Sequence, residues 1–143
     1  MAIGQSSGSS LSIGDVARET GLGVHALRFY ERNDLLVDPI ERTPTGRRMY
    51  SATDVEWLQV CVKLRESGMP LVELRRFASL VRQGSGNEHE RLRLLQDHEA
   101  RVRAQLASIA ECLDVITGKV ATYRDHIAAG GTRDPWLHPT DER

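Results

Sequence analysis

The sequence predicts a mainly α-helical fold: an N-terminal winged helix-turn-helix, a helical linker pair, and a long C-terminal dimerisation helix that pairs with a second copy as a coiled coil. Three observations predict it. Two short helical patterns flank Thr20-Gly21-Leu22-Gly23. A turn-rich, arginine-bearing stretch over 37–50 follows them. An apolar heptad then runs from Leu92 to Tyr123. The expected divisions are a flexible leader (1–10), the winged-helix domain (11–83), a linker (84–87), the coiled-coil helix (88–129) and a tail (130–143).

The first helix opens at Ser12-Ile13-Gly14-Asp15, where Ser12 caps the amides and Asp15, at the third position, returns a bond. Two glycines break the pattern, and Val24, Leu27 and Arg28 restart helical spacing. Asn33-Asp34-Leu35-Leu36 ends this second helix. The following stretch carries Pro39, Pro44 and Gly46 between short β-compatible pieces and reads as a wing. Thr43-Pro44-Thr45-Gly46 supplies its turn, because proline presets one dihedral and glycine permits positive φ. Ser51-Ala52-Thr53-Asp54 is a second capping box, opening a helix with Val55, Leu58 and Val62 on one face, which Gly68 stops. Pro70 begins the next, with Leu71, Leu74, Phe77, Ala78 and Val81 as its apolar stripe.

From Glu88 to Ala129 the chain reads as one helix, about 60 Å long at 1.5 Å per residue. With position a at residue 92, the a and d residues are Leu92, Leu95, Glu99, Val102, Leu106, Ile109, Leu113, Ile116, Val120 and Tyr123. Only Glu99 breaks the seam. A narrow stripe kept over so many heptads suits a coiled coil, and no other segment is long enough to cover it, so a second copy is the expected partner.

The formal net charge is −1, so composition gives no global signal for nucleic acid. Locally, Arg42, Arg47 and Arg48 stand against Glu41 alone, and phosphate binding depends on such a cluster. No signal core or long apolar run appears, so no membrane association and a cytoplasmic location are expected. Cys61 and Cys112 make no disulfide framework. No nucleophile–base pairing, phosphate loop or metal-ligand spacing is found, so neither an enzyme nor a cofactor or metal site is expected.

Ile13-Gly14-Asp15-Val16-Ala17, Leu27-Arg28-Phe29-Tyr30-Glu31-Arg32, Leu35-Leu36, Gly46-Arg47-Arg48-Met49-Tyr50 and Gly68-Met69-Pro70-Leu71-Val72-Glu73-Leu74 arrive in one order and spacing. Together they resemble the MerR family of transcriptional regulators, closely over 11–83 and in architecture over nearly the whole chain. The resemblance implies a homodimer joined by an antiparallel coiled coil on a two-fold site in double-stranded promoter DNA, which bends and untwists the spacer to align promoter elements for RNA polymerase. It implies that Gly23, Val24 and His25 lie near base edges, with His25 the best candidate for reading them. Arg28, Phe29, Tyr30 and Arg32 then touch phosphates or support residues that do. Phe29 stands where relatives usually carry tyrosine, which leaves it packing instead of a hydroxyl contact. Arg42, Arg47 and Arg48 fit the wing's backbone contacts, and Arg65 matches a basic position of the third helix that reaches phosphate.

Metal-sensing relatives use several cysteines around the end of the dimer helix, whereas here only Cys112 lies there and Val120 occupies the partner position. The short length resembles the aldehyde- and nitrosative-stress type, which sense through a thiol on the third helix. Lys63 stands where that thiol belongs, and Cys61 lies about 200 degrees around the helix from it. Cys61 and Cys112 are the candidate sensor thiols, with a small core hydrophobe as the alternative for Cys61. The alternative for the chain is a coiled-coil interaction or scaffold protein without DNA binding. It explains the heptad but not a glycine-broken helix pair followed by a basic wing.

Overall fold

Two serines set the helical framework. In the computed structural model, which describes residues 10–136, Ser12 Oγ accepts from the Asp15 amide at 3.2 Å while the Asp15 carboxylate accepts from the Ser12 amide at 3.1 Å. The same reciprocal pair joins Ser51 and Asp54, at 3.1 and 2.8 Å. Each box satisfies two amides that a helix start leaves open. Residues 1–9 of the expected leader, and Leu137 with the rest of the expected tail, lie outside the described residues.

Eight elements follow in the order β1 (Leu11–Ser12), α1 (Ile13–Thr20), α2 (Val24–Arg32), β2 (Glu41–Arg42), β3 (Arg48–Tyr50), α3 (Ala52–Glu66), α4 (Leu71–Arg82) and α5 (Glu88–Ala128). α1 ends on Gly21 at φ 73°, a left-handed cap whose amide bonds the Ala17 carbonyl. The strands form one antiparallel sheet in the order β1-β3-β2, with Leu11 opposite Tyr50 and Arg42 opposite Arg48. The short β-compatible pieces expected around the wing's turn are β2 and β3, whereas no strand was expected at 11–12.

The core fills where these elements converge: Val16, Leu27, Leu35, Leu58, Met69 and Leu74 are almost wholly buried, with Tyr50 of β3 closing the sheet side. The expected apolar face of α3 holds for Val55 and Leu58, with Cys61 buried beside them and Val62 half-buried. On α4 the buried stripe is Leu74, Phe77, Ala78 and Leu80. Pro70 is its N-cap, just outside the first turn where the sequence reading put it. The loop after α2 is fastened from two sides. Trp57 stacks on Phe77 with ring centroids 5.5 Å apart, and its indole N–H donates to the Leu35 carbonyl at 2.6 Å. From α4, Arg82 Nη1 donates to the carbonyls of Asp34 and Leu36 at 2.5 and 2.8 Å.

α5 is a single helix of 41 residues. The boundary between two compact units falls inside it, between Glu99 and Ala100. In the first unit, His98 is buried and its Nε2 lies 2.8 Å from Ser67 Oγ at the end of α3. In the second, the chain turns at Gly130 (φ 65°), and Trp136 folds back so that the Lys119 ammonium sits 4.5 Å from its ring centre. No helix among the described residues is long and apolar enough to cross a membrane.

Candidate nucleic-acid interface

Helical phase divides α2 into two faces. Leu27 and Tyr30 enter the core, which leaves His25, Arg28, Phe29 and Arg32 exposed at i, i+3, i+4 and i+7. One stripe therefore presents an imidazole, two guanidiniums and an aromatic ring. Gly23 is the exposed N-cap, Val24 is half-buried, and no side chain caps the first amides. Unclaimed amides at the positive end of a helix attract phosphate or base-edge acceptors. Tyr30 is 7% exposed, and burial pushes its hydroxyl above the usual phenol range. Its contribution is to seat α2, with the stripe held outward.

The wing is a tight hairpin. The Thr43 amide donates to the Arg47 carbonyl and the Gly46 amide to the Thr43 carbonyl, both at 2.8 Å. Gly46 sits at φ 85°, where any side chain would be strained. Glu31 of α2 then joins wing to helix: its Oε1 pairs with Arg42 Nη2 at 3.3 Å, and its Oε2 pairs with Arg48 Nε. Arg42 also donates to the Gly46 carbonyl at 3.3 Å. Arg47 is exposed and makes no ion pair among the described residues. Arg65, at the end of α3, donates to the Met69 carbonyl at 2.7 Å and is otherwise open to solvent.

Sequence reading missed Glu31. It lies 11 and 17 positions from its partners, too far for any local pattern to reveal the pairing. The carboxylate neutralises charge that a phosphate would otherwise meet. Glu31→Gln keeps the shape and removes that competition, so duplex affinity is expected to rise roughly three- to tenfold, since partly exposed ion pairs are worth about 0.2–1 kcal/mol each. Fluorescence anisotropy on a mixed-sequence duplex checks it. A fall in affinity at unchanged melting temperature would instead mean that Glu31 acts by orienting the wing.

The two thiols occupy opposite environments. Cys61 is wholly buried, and loss of solvation pushes its thiol up to about 12, so the reactive thiolate is suppressed. Cys112 is exposed on α5. Among the described residues no three His, Cys, Asp or Glu side chains gather as a metal set. On α5 the seam faces water in the single chain: Leu106, Ile109, Leu113 and Ile116 are 57–65% exposed, and Leu92, Leu95, Val120 and Tyr123 are also open. Val102 is half-buried. Ile127, the next a position, is 74% exposed and lengthens the stripe by one turn beyond the sequence reading. Exposed apolar surface of this extent is what protein–protein interaction sites present.

Comparison with known proteins converges on one group. Residues 11–80 match the model of the MerR HTH family regulatory protein. An HTH-type transcriptional regulator of Haemophilus influenzae is 31% identical over 117 residues, covering 82% of this chain and 86% of its own length. The crystal structure of HiNmlR, a MerR family regulator lacking the sensor domain, bound to promoter DNA, superposes with a TM-score of 0.79 at 29% identity, over 90% of this chain and 97% of that one. A MerR family regulator from Listeria monocytogenes gives 0.78 at 26% identity, over 85% and 91%. The chain thus belongs to the MerR family of DNA-binding, helix-turn-helix transcriptional regulators.

Proposed function

We propose that the chain binds a two-fold promoter site as a homodimer and controls transcription by deforming the spacer DNA between promoter elements, with RNA polymerase as its second partner in the cytoplasm. The observation that carries this reading is the joint made by Glu31, because it sets the wing's Arg42 and Arg48 beside the exposed stripe of α2. A reading helix and a phosphate-gripping wing on one face suit a helix in the major groove with the backbone held alongside. In this reading His25 and the first turn at Gly23 and Val24 approach base edges, whereas Arg28, Arg32, Arg42, Arg47, Arg48 and Arg65 meet phosphates. Phe29 and Tyr30 support them. Residues 11–83 form the DNA-binding part, and the seam of 88–129 pairs the two copies. HiNmlR in its promoter-bound state supports the reading, since its fold covers nearly all of this chain.

Footprinting on the gene neighbourhood tests it. The expected result is two protected half-sites related by a dyad, an integral number of helical turns apart, with enhanced cleavage at the centre where the spacer is distorted. A single asymmetric footprint, or a protected site with an undistorted centre, overturns it.

A further inference from the structure

A groove of about 510 Å³ lies where the end of α2 meets α4, lined by Arg32, Asn33, Asp34, Arg75, Ser79 and Arg82 among others. Its guanidiniums differ from those of the wing in what holds them. Arg75 Nη2 donates to Asn33 Oδ1 at 2.6 Å, and Arg82 donates to the carbonyls of Asp34 and Leu36. Both are therefore pinned on neutral acceptors. No carboxylate pairs with Arg32, Arg75 or Arg82 among the described residues, whereas Arg42 and Arg48 share Glu31 and Arg76 pairs with Glu90. Three guanidiniums without an ion pair thus stand in one concavity, beside the Asp34 carboxylate, which pairs with none of them, and two of the three are fixed with N–H donors to spare. Arg32 is also the last member of the exposed stripe of α2, four residues after Arg28, so the groove continues the surface already assigned to DNA.

We propose that this groove is a further phosphate subsite, in which Arg75 and Arg82 join Arg32 to hold the duplex backbone flanking the bases that α2 reads. The assignment rests on the DNA-binding orientation argued above. A tetrahedral oxyanion suits guanidiniums fixed in this way, because each offers paired N–H groups and no reorganisation is needed on binding. Such a contact widens the footprint without adding sequence information.

The test is duplex affinity against salt concentration for the full chain, with Arg75→Gln, Arg75→Lys and Arg28→Gln compared with the parent. Arg75→Gln removes the charge and keeps a polar side chain, and a melting temperature close to the parent's certifies its fold. Losing one phosphate contact on each copy of a dimer is expected to flatten the slope of log K against log salt by about 1.8, with weaker binding on every sequence. Arg75→Lys, which keeps the charge, is expected to restore the slope. If Arg28→Gln flattens the slope and Arg75→Gln does not, the groove assignment fails while the orientation stands. If neither does, the orientation itself has failed. Inorganic pyrophosphate binding that depends on Arg75, with the duplex slope unaltered, also overturns the proposal, because the groove would then hold a free anion.

Discussion

A chain carrying Leu106→Glu and Ile109→Glu is expected to remain helical, to sediment as a monomer at micromolar concentration, and to lose at least about a hundredfold in affinity for its two-fold site. Both residues stand at the middle of the seam and are 63 and 65% exposed in the single chain, so glutamate there costs a lone chain almost nothing. Glutamate is also a good helix former, which leaves α5 intact. In the proposed pair the same positions turn inward. Each apolar residue removed forfeits roughly 1.5–3 kcal/mol of burial on both copies. The four introduced carboxylates must then approach one another or lose water, which adds to the loss. The affinity drop follows because two heads joined through the proposed seam bind the second half-site as an intramolecular event, whereas a monomer must bind each half alone. Sedimentation velocity and anisotropy on matched full and half sites check both parts. A variant that stays dimeric, or a monomer that binds the full site undiminished, would separate the seam from function.

What was legible in the sequence shares a physical property: short range. Ser12 with Asp15 and Ser51 with Asp54 bond across three residues, so their spacing alone announces the helix starts. The exposed His25, Arg28 and Arg32 of α2 share one stripe by 3.6-residue phase, whereas the burial of Tyr30, which the sequence reading set among the DNA-contact residues, shows only in the fold. The α5 seam is equally local, although the length of the pattern, and not any single residue, is what suggests a partner. What could not be read depends on pairs far apart in the chain. β1 is two residues long and exists only because Leu11 and Ser12 find Tyr50 and Met49. Ser67 meets buried His98 across 31 positions, and Arg75 and Arg82 reach back 42 to 48 positions to the loop after α2. The wing arginines were legible as a cluster. Their neutralisation by Glu31 was not, because a family segment shows which residues recur and not which opposite charge they meet when DNA is absent.

That neutralisation shapes the second large effect. Replacing Arg28, Arg47 and Arg48 together by glutamine removes six charges from the dimer, and the slope of log K against log salt is expected to flatten by about 5, with roughly a thousandfold or greater loss of affinity at 0.15 M salt. An intact slope and affinity would end the assignment of this face to DNA. The three arginines are not equivalent, however. Arg28 and Arg47 are exposed without ion pairs among the described residues, so each is free to take a phosphate directly. Arg48 is half-buried against Glu31, and removing it also leaves that carboxylate short of one of its two cations beside the duplex. Part of its effect is therefore repulsion by Glu31, and a double-mutant cycle separates the two. If Arg48 itself grips phosphate, Glu31→Gln with Arg48→Gln keeps a flatter slope than Glu31→Gln alone, by about 1.8 for two copies. If Arg48 serves only to quench Glu31, the double variant regains the parent slope. We expect the first result, because Glu31 already has Arg42 as a second partner, so that Arg48 can exchange the carboxylate for a phosphate without leaving a charge unpaired.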